Sequence, residues 1–170
     1  YLLLYNLSYI HTHKYDLTDP EEAIVLADFI QRAKEDYGVV QVGGVGEKNA
    51  SFDKIEIFNT LFGESWFQQI DVLNLEFEFW IQAATDPGGY YCTTYLTPNG
   101  YPCTNDGAFQ FYISTLQTIR NLAIANSHPI TTEAYIGWPT AGQADTIGAN
   151  LDRLLLHAYV SDPSTSFNYS

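Results

Sequence analysis

From Asp71 to Trp80 the chain alternates with a period of two. Leu73, Leu75, Phe77 and Phe79 fall on one side, and Asn74, Glu76 and Glu78 fall on the other. That period belongs to a β-strand. A strand inside an α/β protein is normally covered on both faces and reads as a continuous apolar run. Three polar side chains in a row on one face carry a desolvation cost unless they line a cavity or a site. Strand rise sets consecutive members of the row roughly 6–7 Å apart and puts Glu76 and Glu78 furthest along, where barrel active sites sit. An edge strand with one wet face would give the same pattern.

Strand and helix signals alternate along the rest of the chain. Tyr1 to Ile10 is an apolar, strand-like run. Asp19-Pro20-Glu21-Glu22 then supplies an N-cap, a first-turn proline and a capping-box glutamate. The helix that follows is predicted to bury Ala23, Ala27, Ile30, Ala33 and Tyr37 and to stop at Gly38. Val39 to Val45 reads as a second strand, followed by a helix with Phe52, Ile55, Phe58 and Phe62 inward. The alternating segment is the third strand. A helix over about 107–126, a strand over 130–138, a helix over about 144–151 and a strand over 154–160 complete the series. This pattern predicts a parallel sheet with right-handed crossovers, in one domain over residues 1–170 with an irregular, cysteine-containing insertion at about 85–106.

Five strands are fewer than a closed eight-stranded barrel needs. The preferred fold is a TIM-type (β/α) barrel, incomplete in this chain and corresponding to about strands 2–6, with a partner chain or a missing segment completing it. An open flavodoxin-like parallel sheet is the alternative.

Only 7 Lys and Arg face 20 Asp and Glu, a formal charge of −13. That field repels phosphate backbones and argues against nucleic acid as a partner. No apolar run approaches the ~20 residues of a membrane span. Aromatic residues are 15% of the chain, suited to stacking on carbohydrate or protein surfaces or to filling a large core. Cys92 and Cys103 flank a loop rich in Tyr, Thr, Pro, Asn and Gly, which fits either a disulfide in an oxidising compartment or two free thiols. With Tyr1 in first place and no signal peptide visible, the expected location is secreted or extracytoplasmic.

The alternating strand also resembles the strand-four signature D-x-x-D-x-D-x-E of the family 18 glycoside hydrolases, the chitinases and endo-β-N-acetylglucosaminidases. Asp71 stands on the first Asp and Glu78 on the terminal Glu, with the aromatic Phe79 after it. Asn74 and Glu76 replace the second and third Asp. Two further patches are similar. Gln41-Val42-Gly43-Gly44 resembles the S-x-G-G that often ends strand three, where Gly43 and Gly44 would let a ligand approach or simply form a turn. Leu156-His157-Ala158-Tyr159 resembles the strand-six M-x-Y-D, with Tyr159 on the substrate-contacting Tyr.

The resemblance implies retaining, substrate-assisted cleavage of a β-linked N-acetylglucosamine, an exception to the two-carboxylate scheme. No cofactor is implied. Glu78 would be the general acid, held above the ordinary carboxylate range by burial and by Glu76. Glu76 would orient the acetamide, although it is one methylene longer than Asp, and Asn74 removes a charge that tunes the pair. Asp71, Asn74, Tyr159, Gly43 and Gly44 would line the substrate site. Trp80 and Trp138 would form either a sugar-stacking floor or part of the helix layer. The same residues also fit a catalytically silent glycan-binding or structural barrel. A hydrolytic metal site from His11 and His13 with Glu76, Glu78 and His157 is a weaker alternative, because His128 precedes a proline in a loop. Two surface histidines explain His11 and His13 more simply, so no metal ligand is assigned.

Overall fold

The computed structural model describes residues 1–157. Its centre is a five-stranded parallel sheet, β1 (Leu2–Leu4), β2 (Val42–Gly46), β3 (Val72–Leu75), β4 (Thr131–Ile136) and β5 (Arg153–Leu156), in the order β1-β2-β3-β4-β5. The helices are α1 (Leu7–His13), α2 (Pro20–Glu35), α3 (Asn49–Leu61), α4 (Asn105–Ala125) and α5 (Ala141–Gly148).

The predicted N-cap of α2 forms, whereas Glu22 accepts from the Asp16 amide at 2.7 Å instead of closing a capping box. The Asp19 carboxylate accepts from the Glu21 and Glu22 amides, and Thr140 and Gln143 make a reciprocal capping box on α5. Gly38 takes φ +67°, which closes α2 in the left-handed conformation that glycine tolerates. The apolar stripes of α2, α3 and α4 bury Ala27, Ile30, Phe52, Phe58, Tyr112 and Leu116 against Leu73, Leu75, Ala134 and Ile136 of the sheet. Burial of a side chain of this size is worth roughly 1.5–3 kcal/mol.

The first ten residues differ from expectation. The strand is only Leu2–Leu4, and Asn6 at φ 58° turns the chain into α1. An apolar run of this length satisfies either period, and here Leu7 is buried from a helix rather than a strand. His11 and His13 therefore lie on α1, not at a strand end. His13 stacks on Tyr9, and His11 lies 3.1 Å from Asp16. Tyr37 is also corrected. It sits beyond the end of α2 and is 82% exposed, while the buried stripe takes in Lys34 instead.

The irregular 85–106 segment folds as short helical turns around the Cys92–Cys103 disulfide, whose Cα atoms are 5.5 Å apart. Cys92 is wholly buried. Among the described residues no helix is long and apolar enough to cross a membrane.

The face of the sheet away from the helices is concave and polar. Tyr1, just before β1, donates to Glu133 of β4 at 2.5 Å, and the hydroxyls of Tyr5 and Tyr135 meet at 3.1 Å. Arg153 of β5 lies 4.6 Å above the Tyr1 ring and reaches Gln41 at 2.9 Å. In a flat sheet, strands three or four places apart are ~14–19 Å from each other. Contacts between β1 and β4 and between β1 and β5 require a strongly curled one.

Candidate functional site

The polar row of the third strand faces this concavity in layers. In the lowest, Val45, Asn74, Glu133 and Arg153 stand side by side across β2 to β5. Glu133 is fully buried and accepts from Tyr1, from Asn74 at 2.6 Å and from Arg153. A buried carboxylate is tolerable when a cation and several donors surround it. Asn74 is also fully buried, and its Oδ1 has no hydrogen-bond partner.

The ladder of β3 ends at Leu75, one residue after Asn74, earlier than the ten-residue alternation suggests. The Glu76 amide still donates to Gly46 at 2.9 Å, so the chain stays extended to Glu76, and the Phe79 amide then turns back to Phe77 O at 3.0 Å. Continuing the register one step puts Glu76 beside Tyr135, and Glu78 lies in the turn that follows. Glu76, Glu78, Tyr5, Tyr135 and His157 line one small cleft of about 50 Å³. Glu76 and Tyr5 also line a second, of about 100 Å³, with Glu47 and Ser51. Both clefts open at the C-terminal end of the parallel strands, the end at which α/β folds place ligands.

The electrostatics single out Glu76. Burial and the neighbouring carboxylates of Glu47 and Glu78 push it above the ordinary carboxylate range, against a smaller opposite pull from His157. Glu78 lies 3.0 Å from His157 Nδ1, and Glu47 accepts from the Tyr95 hydroxyl. Tyr91, from the disulfide-bonded segment, stands over the same group. Burial and the charges of Glu78, Glu47 and Glu76 raise it to about 12. The insertion thus adjoins the acidic group, rooted by packing of Tyr91 and Tyr95 on Phe77 at ring distances of 5.1 and 5.6 Å.

The tryptophans flank His157, Trp80 at 6.0 Å and Trp138 at 6.5 Å between ring centroids. The Trp80 ring lies against Gly137, where an added Cβ would fall 2.7 Å from its Nε1. Trp138 adopts φ 39°, sparsely populated for a bulky residue, and is 51% exposed. Backbone held in such a region concentrates at ligand-binding sites.

The remaining sequence-predicted residues lie elsewhere. Asp71 is at the opposite, N-terminal end of β3, where it pairs with Lys34 at 2.8 Å and His128 at 3.0 Å and accepts from the Val42 amide. Gly43 and Gly44 lie inside β2 below the cleft. There Leu3 Cδ2 and Ile55 Cδ1 would each sit 2.7 Å from an added Cβ, so these glycines serve close packing. Tyr159 lies outside the described residues. Among the described residues no group of three or more His, Cys, Asp or Glu is placed to hold a metal ion.

Sequence reasoning missed Glu133, Arg153, Tyr135, Tyr5 and Glu47. Thr131, Glu133 and Tyr135 alternate with Thr132, Ala134 and Ile136, so the period that marked the third strand was also present in the fourth. When the chain is compared with family models, with curated proteins and with solved structures, nothing matches.

Proposed function

We propose that the chain forms part of a (β/α) barrel similar to the family 18 glycoside hydrolases and acts on glycans containing N-acetylglucosamine. The observation that carries this reading is the placement of Glu76 and Glu78 together on the concave side at the C-terminal end of the central strand, in one cleft with Tyr5, Tyr135 and His157. The barrel is supported by the monotonic strand order, which lacks the reversal of a doubly wound sheet, and by the curl that brings Arg153 over Tyr1. Five strands then correspond to barrel strands 2–6, and a further segment or a partner chain supplies the rest. The disulfide favours an extracytoplasmic setting.

In this reading protonated Glu78 gives its proton to the glycosidic oxygen. The anomeric C–O bond breaks with its electron pair going to that oxygen, while the substrate acetamide oxygen bonds to the anomeric carbon. Water then attacks that carbon on the face the leaving group vacated, reopens the ring and gives a proton back to Glu78. Glu76, as a group that keeps its proton to higher pH than an ordinary carboxyl, hydrogen-bonds the acetamide. Trp138 and Trp80 offer ring faces to the sugar, and no cofactor enters.

A silent glycan-binding barrel is the second reading. It is favoured by the longer Glu76 and by Asn74, whose amide is committed to Glu133. Hydrolysis of chitin oligosaccharides and of a high-mannose N-glycopeptide, by the chain and by a Glu78→Gln variant, separates the two. Cleavage lost in the variant supports the enzyme. Saturable binding without cleavage in both proteins supports the silent barrel, and neither binding nor cleavage rejects both.

A further inference from the structure

Glu78 follows β3 and His157 directly follows β5, so the two come from strands two places apart. Between those strands Gly137, directly after β4, carries no side chain, and the Trp80 ring fills the space that a Cβ there would take. The His157 backbone is fixed in the sheet by donation to Ile136 O at 2.7 Å, and its ring is flanked by Trp80 and Trp138. Its Nδ1 lies 3.0 Å from Glu78 Oε1. We propose that His157 is a positioning residue for Glu78, its Nδ1–H donating to Oε1 so that Oε2 is left facing the cleft.

The consequence for catalysis rests on the glycosidase reading, but the contact itself does not. Glu76 crowds Glu78 with like charge, which favours swinging its carboxyl out to water. A ring donor held by two aromatic neighbours opposes that swing. During proton delivery the Oε2–H bond breaks and the glycosidic O–H bond forms, while the Nδ1–H···Oε1 bond persists. His157 neither gains nor loses a proton. The carboxyl therefore keeps one direction as it changes from acid to base, and reaction rates are sensitive to such direction. The hydrogen bond also selects the histidine tautomer, because Nδ1 must carry the ring proton.

Two measurements on the full chain test this. Ring-¹⁵N NMR at neutral pH is expected to find His157 protonated at Nδ1 in the wild type and shifted towards Nε2 in Glu78→Leu. Kinetics on a chitin oligosaccharide then compare His157→Leu, His157→Gln and His157→Asn. The Asn amide lies about where Nδ1 lies and the Gln amide near Nε2. Leu and Gln are expected to lose about 10- to 100-fold in kcat with KM nearly unchanged, and Asn to recover most of it. Nε2 protonation in the wild type, or equal losses in all three variants, would overturn the proposal. If the wild type cleaves nothing, the glycosidase reading fails, and the tautomer alone decides whether His157 holds Glu78.

Discussion

At the N-terminal end of β3, Asp71 is enclosed by donors. Lys34 reaches both its oxygens, Val42 and His128 add further contacts, and the Lys34 ammonium is itself completed by the carbonyls of Trp66 and Gln69. At the other end, Glu76 stands between Glu47 and Glu78 with no lysine or arginine among the described residues lining either cleft. One end closes its charges against each other, and the other leaves like charges together beside water. The difference separates an end of the sheet whose charges are mutually satisfied from an end whose carboxylates raise one another's energy.

The comparison breaks most readily at Lys34. Its side chain is 2% exposed, so Lys34→Met leaves the Asp71 carboxylate buried without its main cation. The expected loss is about 3–5 kcal/mol, read from urea unfolding, with sugar binding intact under folding conditions. A loss below about 1 kcal/mol would mean that water reaches Asp71 and that the end is not closed.

Gly137→Ala tests the open end. The new Cβ would sit 2.7 Å from Trp80 Nε1 and 2.8 Å from Cε2, and the ring must move. About 1–3 kcal/mol of stability is expected to go, together with ligand affinity, because the shifted Trp80 ring also flanks His157. Affinity that survives the substitution would remove Trp80 from the site.

Asp152 offers a smaller contrast, just before β5 at the closed end. Hydrogen bonds from the Thr132 backbone and hydroxyl hold it below the usual carboxylate range. Its contribution is present above the unfolded value of ~3.9 and is lost as pH falls through its lower folded value. Asp152→Asn is expected to cost about 0.5–1 kcal/mol at pH 7 and progressively less in acid.

What the sequence made legible follows from the range of the interactions. Caps, periods and turns act within a few residues, so α2, α4, α5 and the alternation of β3 could be read directly. The ion pairs could not. Lys34 looks like a break in an apolar stripe until Asp71, 37 residues away, is set beside it. The meeting of Glu78 with His157 likewise depends on strand order, which brings together residues that follow two different strands. The first ten residues failed for a different reason. A short apolar run has no period of its own, and the left-handed turn at Asn6 decided it.

The smallest effect has the opposite sign, which makes it the sharpest test of the two-ended view. Glu76 is held above its ordinary range in the folded chain, so between the unfolded value of ~4.3 and its folded value the folded state binds more protons than the unfolded one. Stability then falls as pH rises through that window, a penalty that is complete above the folded value and relieved in acid. Glu76→Gln removes the charge and the penalty together. The variant is therefore expected to be more stable than the wild type at pH 7, by less than about 1 kcal/mol because Glu76 is partly in water, and equal to it near pH 4. Asp152→Asn should differ from the wild type in the other direction over its own, lower window. Parallel urea titrations of both variants from about pH 2 to 8 read the two slopes. If Glu76→Gln is instead destabilising at pH 7, the carboxylate group at the open end is supported by contacts within the fold, and the contrast between the ends is lost.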